Sequence, residues 1–171
     1  VEGGVAIPNA VVLINAGKIT MVGPAASVAV PADAIRISLS GRWLLPGLMD
    51  MHVHLSPALD GSSAHESDGD RLLRMTANAR KALSCGVTTL RLVGEIGGSD
   101  FDLRRAIERG LVPGPRIFTT GPIITTTGGH GHMAERIDGP YGLSQLAREQ
   151  ISKGADWIKI SISGGIGNVR G

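Results

Sequence analysis

From Leu48 onward the sequence alternates between short apolar runs and amphipathic stretches, and this alternation restricts the possible fold more than any other feature. The apolar runs have the length of strands, and the stretches between them carry apolar residues at the three- and four-residue spacing of helices. The pattern predicts strands at 48–53, 87–93, 116–120 and 157–162, and helices at 68–84, 100–109 and 143–153. Because helices separate consecutive strands, we expect a parallel sheet of the α/β class.

Two arrangements of such a sheet fit the chain. An open sheet of the flavodoxin type accommodates four parallel strands within 171 residues. The other arrangement is half of an eight-stranded (β/α)8 barrel, a fold that takes about 250 residues when complete. Chain length favours the open sheet, whereas the polar motifs described below favour the half-barrel.

The first 45 residues follow a different pattern, with short strands joined by tight turns. The runs at 10–15 and 18–22 flank an Ala-Gly turn and predict a hairpin. The run at 34–39 alternates apolar and polar residues, which predicts a half-buried strand. We therefore predict a small β domain at 1–45 and an α/β domain at 46–171.

The composition excludes several classes of protein. The 17 basic and 15 acidic residues give a net charge of +2, so no nucleic-acid-binding surface is expected. No apolar run approaches the roughly 18 residues of a membrane span. The single cysteine, Cys85, ends a predicted helix and is expected to be a small buried residue. Without a disulfide, a cytoplasmic location is favoured, although a chain that starts at Val1 leaves an earlier signal segment open.

Two histidines, His52 and His54, close the first predicted strand of the α/β domain. Residues i and i+2 of a strand point to the same face, with Cα atoms about 7 Å apart. Two imidazoles in this arrangement can converge on one divalent metal, and zinc suits imidazole ligands. Two histidines that are hydrogen-bonded in a polar pocket would give the same pattern, so the pair is a candidate metal site.

Lys159 lies between Ile158 and Ile160 in the last predicted strand. Alternation places Lys159 on one face with Trp157 and Ser161, and isoleucines on the other. Lysine is rarely buried without a partner, and burial disfavours its charged form. An inward-facing lysine is therefore a candidate functional residue, and an edge-strand lysine in solvent is the alternative.

The Gly-rich segment TTTGGHGH at 125–132 follows the third predicted strand. Such a loop can approach a ligand closely, and His130 could donate a hydrogen bond to a carbonyl or carboxylate group. A loop whose histidines face water has the same composition. The segment lacks the Lys-Ser/Thr that follows the glycines of a phosphate-binding loop.

Four further residues are weaker candidates. Arg91, in the second predicted strand, could pair with Glu95 just after it. Asp50 could orient one of the histidines. His65 lies in a polar loop and is expected to face solvent.

Together, four ordered stretches resemble the metal-dependent amidohydrolase superfamily. The stretches are LLPGLMDMHVHL, CGVTTLRLVG, GPRIFTTGPIITTTGGHGH and GADWIKISISGGI. They look like the branch that contains imidazolonepropionase-like proteins and dipeptidases that cleave Xaa-Pro or Xaa-Lys/Arg bonds. This resemblance implies a TIM-like (β/α)8 barrel of the amidohydrolase type, with its first four βα units at 46–171 and part of a β-sandwich domain at 1–45.

The resemblance also implies a site and a reaction. In such enzymes His52 and His54 would bind one of two divalent metals, with zinc expected, and Lys159 would be carboxylated by CO2 and bridge both metals. His130 would contact the substrate. A metal-bridging hydroxide would attack the amide carbonyl of a dipeptide or N-acyl amino acid. Hydrolysis of a cyclic amide or lactone is the alternative on the same scaffold.

The remaining ligands of that family, two histidines and an aspartate from later strands, are not in this sequence. The chain therefore resembles an N-terminal fragment that could be inactive alone. We expect a small peptide-like substrate, no nucleic-acid or membrane partner, and either a homo-oligomer or completion by a C-terminal half, because half a barrel exposes sheet edges.

Overall fold

A computed structural model describes residues 4–57, 66–131 and 135–165. The chain divides into two compact units, Val1–Leu44 and Leu45–Gly171. The first unit contains an antiparallel hairpin of β1 (Ala10–Asn15) and β2 (Lys18–Pro24). Its turn has positive φ at both Ala16 (48°) and Gly17 (73°), the geometry that suits the twist of a two-residue hairpin.

The predicted strand at 34–39 is wrong. These residues form no strand, and Ile35 and Ile37 are 93% and 81% exposed. Alternation alone does not make a strand, because a strand also needs a neighbour to satisfy its backbone groups. No other segment among the described residues pairs with this one.

The second unit follows the predicted order of strands and helices. Its parallel sheets have the orders β3-β4-β5 and β7-β6-β8. The elements are β3 (Leu48–Val53), α1 (Asp68–Ser84), β4 (Val87–Leu92), α2 (Ser99–Glu108), β5 (Arg116–Phe118), β6 (Ile124–Thr125), β7 (Glu135–Arg136), α3 (Pro140–Ser152) and β8 (Ile160–Ser161).

The third and fourth predicted strands differ from the structure in extent. The third, predicted at 116–120, ends at Phe118 and pairs with β4, and the fourth forms a strand only at Ile160–Ser161. The strand β6 was not predicted; it lies beyond the third predicted strand and pairs with β8. Sequence periodicity cannot reveal β6, since two residues are too few to show a period and their pairing is a property of the whole sheet.

The helix boundaries follow local chemistry. Ser67 caps α1, because its Oγ accepts from the N–H of Asp70 at 3.1 Å. The helix α2 begins at Ser99, one residue before the predicted start, and Gly98 in the left-handed region (φ 76°) precedes it. Cys85 follows α1 and is exposed, so the expectation of a buried cysteine is wrong.

One core joins α1 and α2 to the β3-β4-β5 sheet. Leu90 and Leu92 of β4 point into this core, and Met75 of α1 and Leu103 of α2 cover them, all four being at most 1% exposed. None of the helices in the described ranges is long and apolar enough to cross a lipid bilayer. The carboxyl ends of β3 and β4 carry the residues considered next.

Candidate active site

His52 and His54 lie side by side at the end of β3. Their ring centroids are 5.6 Å apart and the rings meet edge to face at 72°. The pairing register of β3 against β4 shifts between Asp50 and Val53, and the N–H of His52 donates to Asp50 Oδ1 at 3.0 Å. Asp50 therefore contacts the backbone of the first histidine, where a local irregularity of the strand leaves that N–H to a side chain.

A carbonyl group defines the tautomer of the neutral His54 imidazole. Its Nδ1 lies 2.7 Å from Gly94 O, and a carbonyl oxygen only accepts hydrogen bonds. Nδ1 therefore carries the ring proton in the neutral imidazole, and Nε2 keeps its lone pair. Metal-binding histidines commonly show this arrangement, in which one nitrogen donates to a carbonyl and the other is available to the metal.

Gly94 is required for this contact. Its φ is +132°, and a Cβ at this position would collide with the side chain of Ile123 while lying 3.6 Å from Cε1 of His54. Only glycine tolerates both this backbone conformation and the close approach of Ile123. The packing of Ile123 against Gly94 also brings the segment before β6 to the ends of β3 and β4.

Lys159 immediately precedes β8, where its carbonyl accepts from the N–H of Ile124 at 3.0 Å. The residue is half-buried, and its ammonium group has no hydrogen bond or ion pair with any part of the chain that the structure describes. The lysine is thus neither fully solvated nor neutralised by a described carboxylate, which leaves its amine available for chemistry.

The expected pairing of Arg91 with Glu95 is absent from the described residues. Arg91 Nε instead donates to Met51 O at 2.6 Å, and its guanidinium carbon lies 6.0 Å from the ring centroid of Trp157. Arg91 thereby links the end of β3 to the segment that carries Lys159. A cation over an aromatic face contributes about 0.5–2 kcal/mol, depending on solvation.

His130 lies in the loop after β6 and is exposed. Its backbone N–H donates to Ser163 O at 2.8 Å. Its ring packs so closely against Gly165 that a Cβ on Gly165 would collide with the ring. His130 does not join the histidine pair as a ligand, because the described residues contain no group of three or more His, Cys, Asp or Glu at metal-binding spacing. His65 lies outside the described residues.

The buried carboxyl group of Glu95 is a site feature that the sequence did not reveal. Glu95 is 2% exposed, and its two oxygens accept from the N–H groups of Leu55 (2.6 Å) and Ser56 (2.7 Å). Burial raises its pKa, and the hydrogen bonds from Ser56 and Leu55 act in the opposite direction. Its position just after β4 was the only sequence signal that Glu95 belongs to the site. Its backbone partners lie about 40 residues earlier in the chain, and sequence patterns do not identify partners at that distance.

A second buried carboxyl group, Asp100, lies at the start of α2. Its Oδ2 accepts from the hydroxyl of Thr119 and from the N–H of Gly121 at 3.0 Å. Burial raises the pKa of Asp100 to about 6, although the Gly121 hydrogen bond and the Arg104 charge oppose this rise. Asp100 thus ties α2 to the break between β5 and β6, and it does not contact the histidine pair.

Comparison with known proteins identifies the family. The model of the amidohydrolase family matches residues 43–170, three quarters of the chain. The chain belongs to the amidohydrolase family. Solved structures show the TIM-barrel type of fold, so the half-barrel prediction is confirmed and the open flavodoxin-like sheet is excluded.

Named relatives in this family are hydrolases. Ochratoxinase of Aspergillus niger is 28% identical over 95% of this chain and 40% of its own length. Imidazolonepropionase of Bradyrhizobium diazoefficiens is 31% identical over 80% of this chain and 30% of its own length. The chain thus spans at most about 40% of these curated relatives.

Two of the similar solved structures are peptidases. A prolidase complexed with N-methylphosphonate-L-proline is 33% identical, with a TM-score of 0.78 over 92% of this chain and 44% of that one. A Xaa-Pro dipeptidase with bound methionine in its active site is 28% identical, with a TM-score of 0.74 over 94% of this chain and 44% of that one.

Proposed function

We propose that the protein hydrolyses the amide bond of a small peptide-like substrate, with a divalent metal held by His52, His54 and Lys159. The contact between His54 Nδ1 and Gly94 O is the observation that carries this proposal. It aligns the second imidazole of the pair as a neutral ligand, 5.6 Å from its neighbour and at the carboxyl end of a barrel strand. Active sites of (β/α)8 barrels lie at that end.

The donors fit a divalent metal. Imidazole suits zinc and its neighbours in the transition series, and the amidohydrolase family generally uses divalent metals. When bound, the metal would supply a Lewis acid for the substrate carbonyl. His52 and His54 alone leave its coordination incomplete, so further ligands are required.

Lys159 supplies a further ligand in this proposal. An ammonium group has no lone pair and cannot bind a metal, whereas the neutral amine can add to the carbon of CO2 and release one proton to the solvent, which gives a carbamate, an oxygen-donating anion. The half-buried position and the absence of any described ion pair at Lys159 support this role. A carbamate that bridges two zinc ions is the specific form that we propose.

His130 is proposed to contact the substrate. The residue follows β6 and is exposed, and the hydrogen bond of its backbone N–H to Ser163 O holds the loop next to the end of β8. An imidazole in that position could donate to a carbonyl or carboxylate oxygen of the substrate. The same group would bind the carboxylate end of a dipeptide or of an N-acyl amino acid.

The comparisons support two candidate substrate classes. The prolidase and the Xaa-Pro dipeptidase support a dipeptide over nearly the whole chain. A cyclic amide is the second candidate, because an imidazolonepropionase of Bradyrhizobium is 43% identical over 61 residues, although this match covers only 35% of the chain. The longer structural match makes the dipeptide our first choice.

Metal analysis of the full gene product tests the site directly. After dialysis against zinc and bicarbonate, we expect bound metal in the natural protein and strongly reduced metal in His52→Asn and His54→Asn. Asp102→Asn, an exposed carboxylate on α2, is the matched control and should retain metal. Natural protein that binds no zinc would refute the proposal and favour an inert chain.

Hydrolysis assays then separate the substrates. We expect the metal-loaded protein to release amino acids from a panel of Xaa-Pro and Xaa-Lys/Arg dipeptides, and from N-acyl amino acids, and to lose this activity on chelation. Turnover of imidazolone propionate or a lactone without turnover of any dipeptide would support the second candidate instead.

A further inference from the structure

We propose that Glu95 is a positioning residue that fixes the orientation of His54 toward the metal, an inference that rests on the proposed metal site. Glu95 does not touch the imidazole. Its carboxylate holds the two residues that follow His54, and its backbone N–H belongs to the peptide group whose carbonyl, Gly94 O, accepts the hydrogen bond from His54 Nδ1. The residue thus acts on His54 from two directions.

The carboxylate of Glu95 spans two successive backbone groups. Oε1 accepts from Leu55 N at 2.6 Å and Oε2 from Ser56 N at 2.7 Å. Hydrogen bonds to an ionised group are shorter and roughly twice as strong as neutral ones. Because two oxygens of one rigid group hold two adjacent N–H groups, the direction in which the chain leaves His54 is set.

The opposite side of the same segment is held by α1. The carbonyl of Leu55 accepts from Arg74 Nη1 at 3.3 Å and from Asn78 Nδ2 at 3.2 Å. The Leu55 side chain is 5% exposed in the core, and Ser56 is fully buried. The residue after His54 is therefore fixed at its N–H, its carbonyl and its side chain, and Glu95 provides the contact that faces β4.

The peptide group between Gly94 and Glu95 provides the second connection. Its carbonyl accepts from His54 Nδ1 at 2.7 Å, and its N–H donates to Gly121 O at 3.1 Å. Hydrogen bonds at the two ends of one peptide group polarise each other, so the bond to Gly121 strengthens the carbonyl as an acceptor. A movement of Glu95 would disturb this carbonyl and the ring that it orients.

A comparison with Asp100 separates positioning from ordinary burial. Both residues are buried carboxylates near the end of β4, and both accept a backbone N–H. Asp100 contacts Thr119 and Gly121, however, and no described hydrogen bond links it to residues 52–56. Asp100 reaches the peptide group between Gly94 and Glu95 only indirectly, through Gly121, whose N–H donates to Asp100 and whose carbonyl accepts from Glu95 N–H. A general loss of packing would follow from either substitution, whereas the larger effect on His54 should follow from a change at Glu95.

The test uses Glu95→Gln, Glu95→Asp and the control Asp100→Asn in the full gene product. Glutamine keeps one acceptor and places an NH2 group against the second backbone N–H, whereas aspartate keeps the charge but has a shorter reach. Zinc affinity is measured by competition with a chromophoric chelator. We expect a roughly 10- to 100-fold loss in Glu95→Gln, the range seen when a group that orients a ligand is removed, with a smaller loss in Glu95→Asp and the smallest loss in Asp100→Asn.

A second measurement needs no metal. Nitrogen-15 NMR of the metal-free protein reports which ring nitrogen of His54 is protonated. We expect the Nδ1–H form to dominate in the natural protein and in Asp100→Asn, and to lose population in Glu95→Gln.

The outcomes are distinguishable from failure of the proposed function. If the natural protein binds no zinc, or His54→Asn binds as tightly as the natural protein, the metal site itself is wrong. If His54→Asn loses zinc while both Glu95 variants bind normally, or if the His54 tautomer is unchanged in Glu95→Gln, the positioning role is overturned. Failure of both Glu95 variants to fold would also overturn it, since the carboxylate would then be a folding element.

Discussion

Ionisation of Asp100 should weaken the fold, and the size of the effect follows from its pKa. The side chain is fully buried, and its pKa rises from 3.8 to about 6. At about pH 2, well below both pKa values, the group is protonated in both the folded and the unfolded chain. As the pH rises, the unfolded chain releases the proton first, so folding stability falls until the folded group also ionises near pH 6 and is constant above it.

The expected loss is about 3 kcal/mol, because one pKa unit corresponds to 1.36 kcal/mol. Asp100→Asn removes this titration. The free energy of unfolding of the variant, relative to the natural protein, should therefore increase by about 2 kcal/mol between pH 4 and pH 7, because the unfolded group is already more than half ionised at pH 4. Any constant difference from the altered hydrogen bonds of the amide cancels in this comparison.

Urea unfolding of the full gene product at pH 4, 5, 6, 7 and 8 provides the measurement. The burial of Glu95 also raises its pKa and gives the same sign, whereas the pKa values of Glu66 and Asp138 are lowered and give the opposite sign. The contributions of Glu66 and Asp138 are common to both proteins, whereas Asp100→Asn also removes the smallest of the causes that raise the pKa of Glu95. Asp102→Asn on the same helix should retain the pH dependence of the natural protein. A constant difference between natural protein and Asp100→Asn across the pH range would refute the reasoning.

Three further changes test the site and the core. Lys159→Ala should lower bound metal and abolish incorporation of carbon-13 from labelled bicarbonate, measured by mass spectrometry of metal content and by NMR; unchanged metal would exclude the carbamate. Gly94→Ala should lower both the thermal unfolding midpoint and zinc affinity, because its Cβ would collide with Ile123. Gly128→Ala is the control, because Gly128 also has a positive φ but its Cβ would meet open space. Met75→Ala should cost about 2–5 kcal/mol in urea unfolding, since this side chain is fully buried; a cost below 1 kcal/mol would mean that the core is not packed there.

The oligomeric state remains a prediction of its own. Among the described residues β3 pairs only with β4, and its side chains Leu48, Met49 and Met51 are exposed. Such an edge favours pairing with a further strand, from a longer chain or from a second copy. Analytical ultracentrifugation of the 171-residue chain should show association, and a monodisperse monomer would contradict this expectation.

Local patterns were sufficient for the elements whose signals are local. The spacing of apolar residues predicted helix α1, and the Ala-Gly turn predicted the hairpin. Alternation along β3 placed His52 and His54 next to each other, because adjacent positions on one strand face are determined by the strand itself. The four ordered motifs also predicted the amidohydrolase family and its (β/α)8 barrel fold.

Contacts between distant segments were decided by the tertiary structure alone. The run at 34–39 has the alternation of a strand, yet no described segment pairs with it. The sequence predicts Arg91 as the partner of Glu95, whereas in the folded chain the carboxylate of Glu95 accepts from two backbone N–H groups just after β3. The sequence by itself determined which residues could form the site and on which strand they lie. The fold decided which carbonyl orients His54 and which carboxylate holds the segment after it, because these partners are 40 residues apart and meet only when β3 and β4 pair.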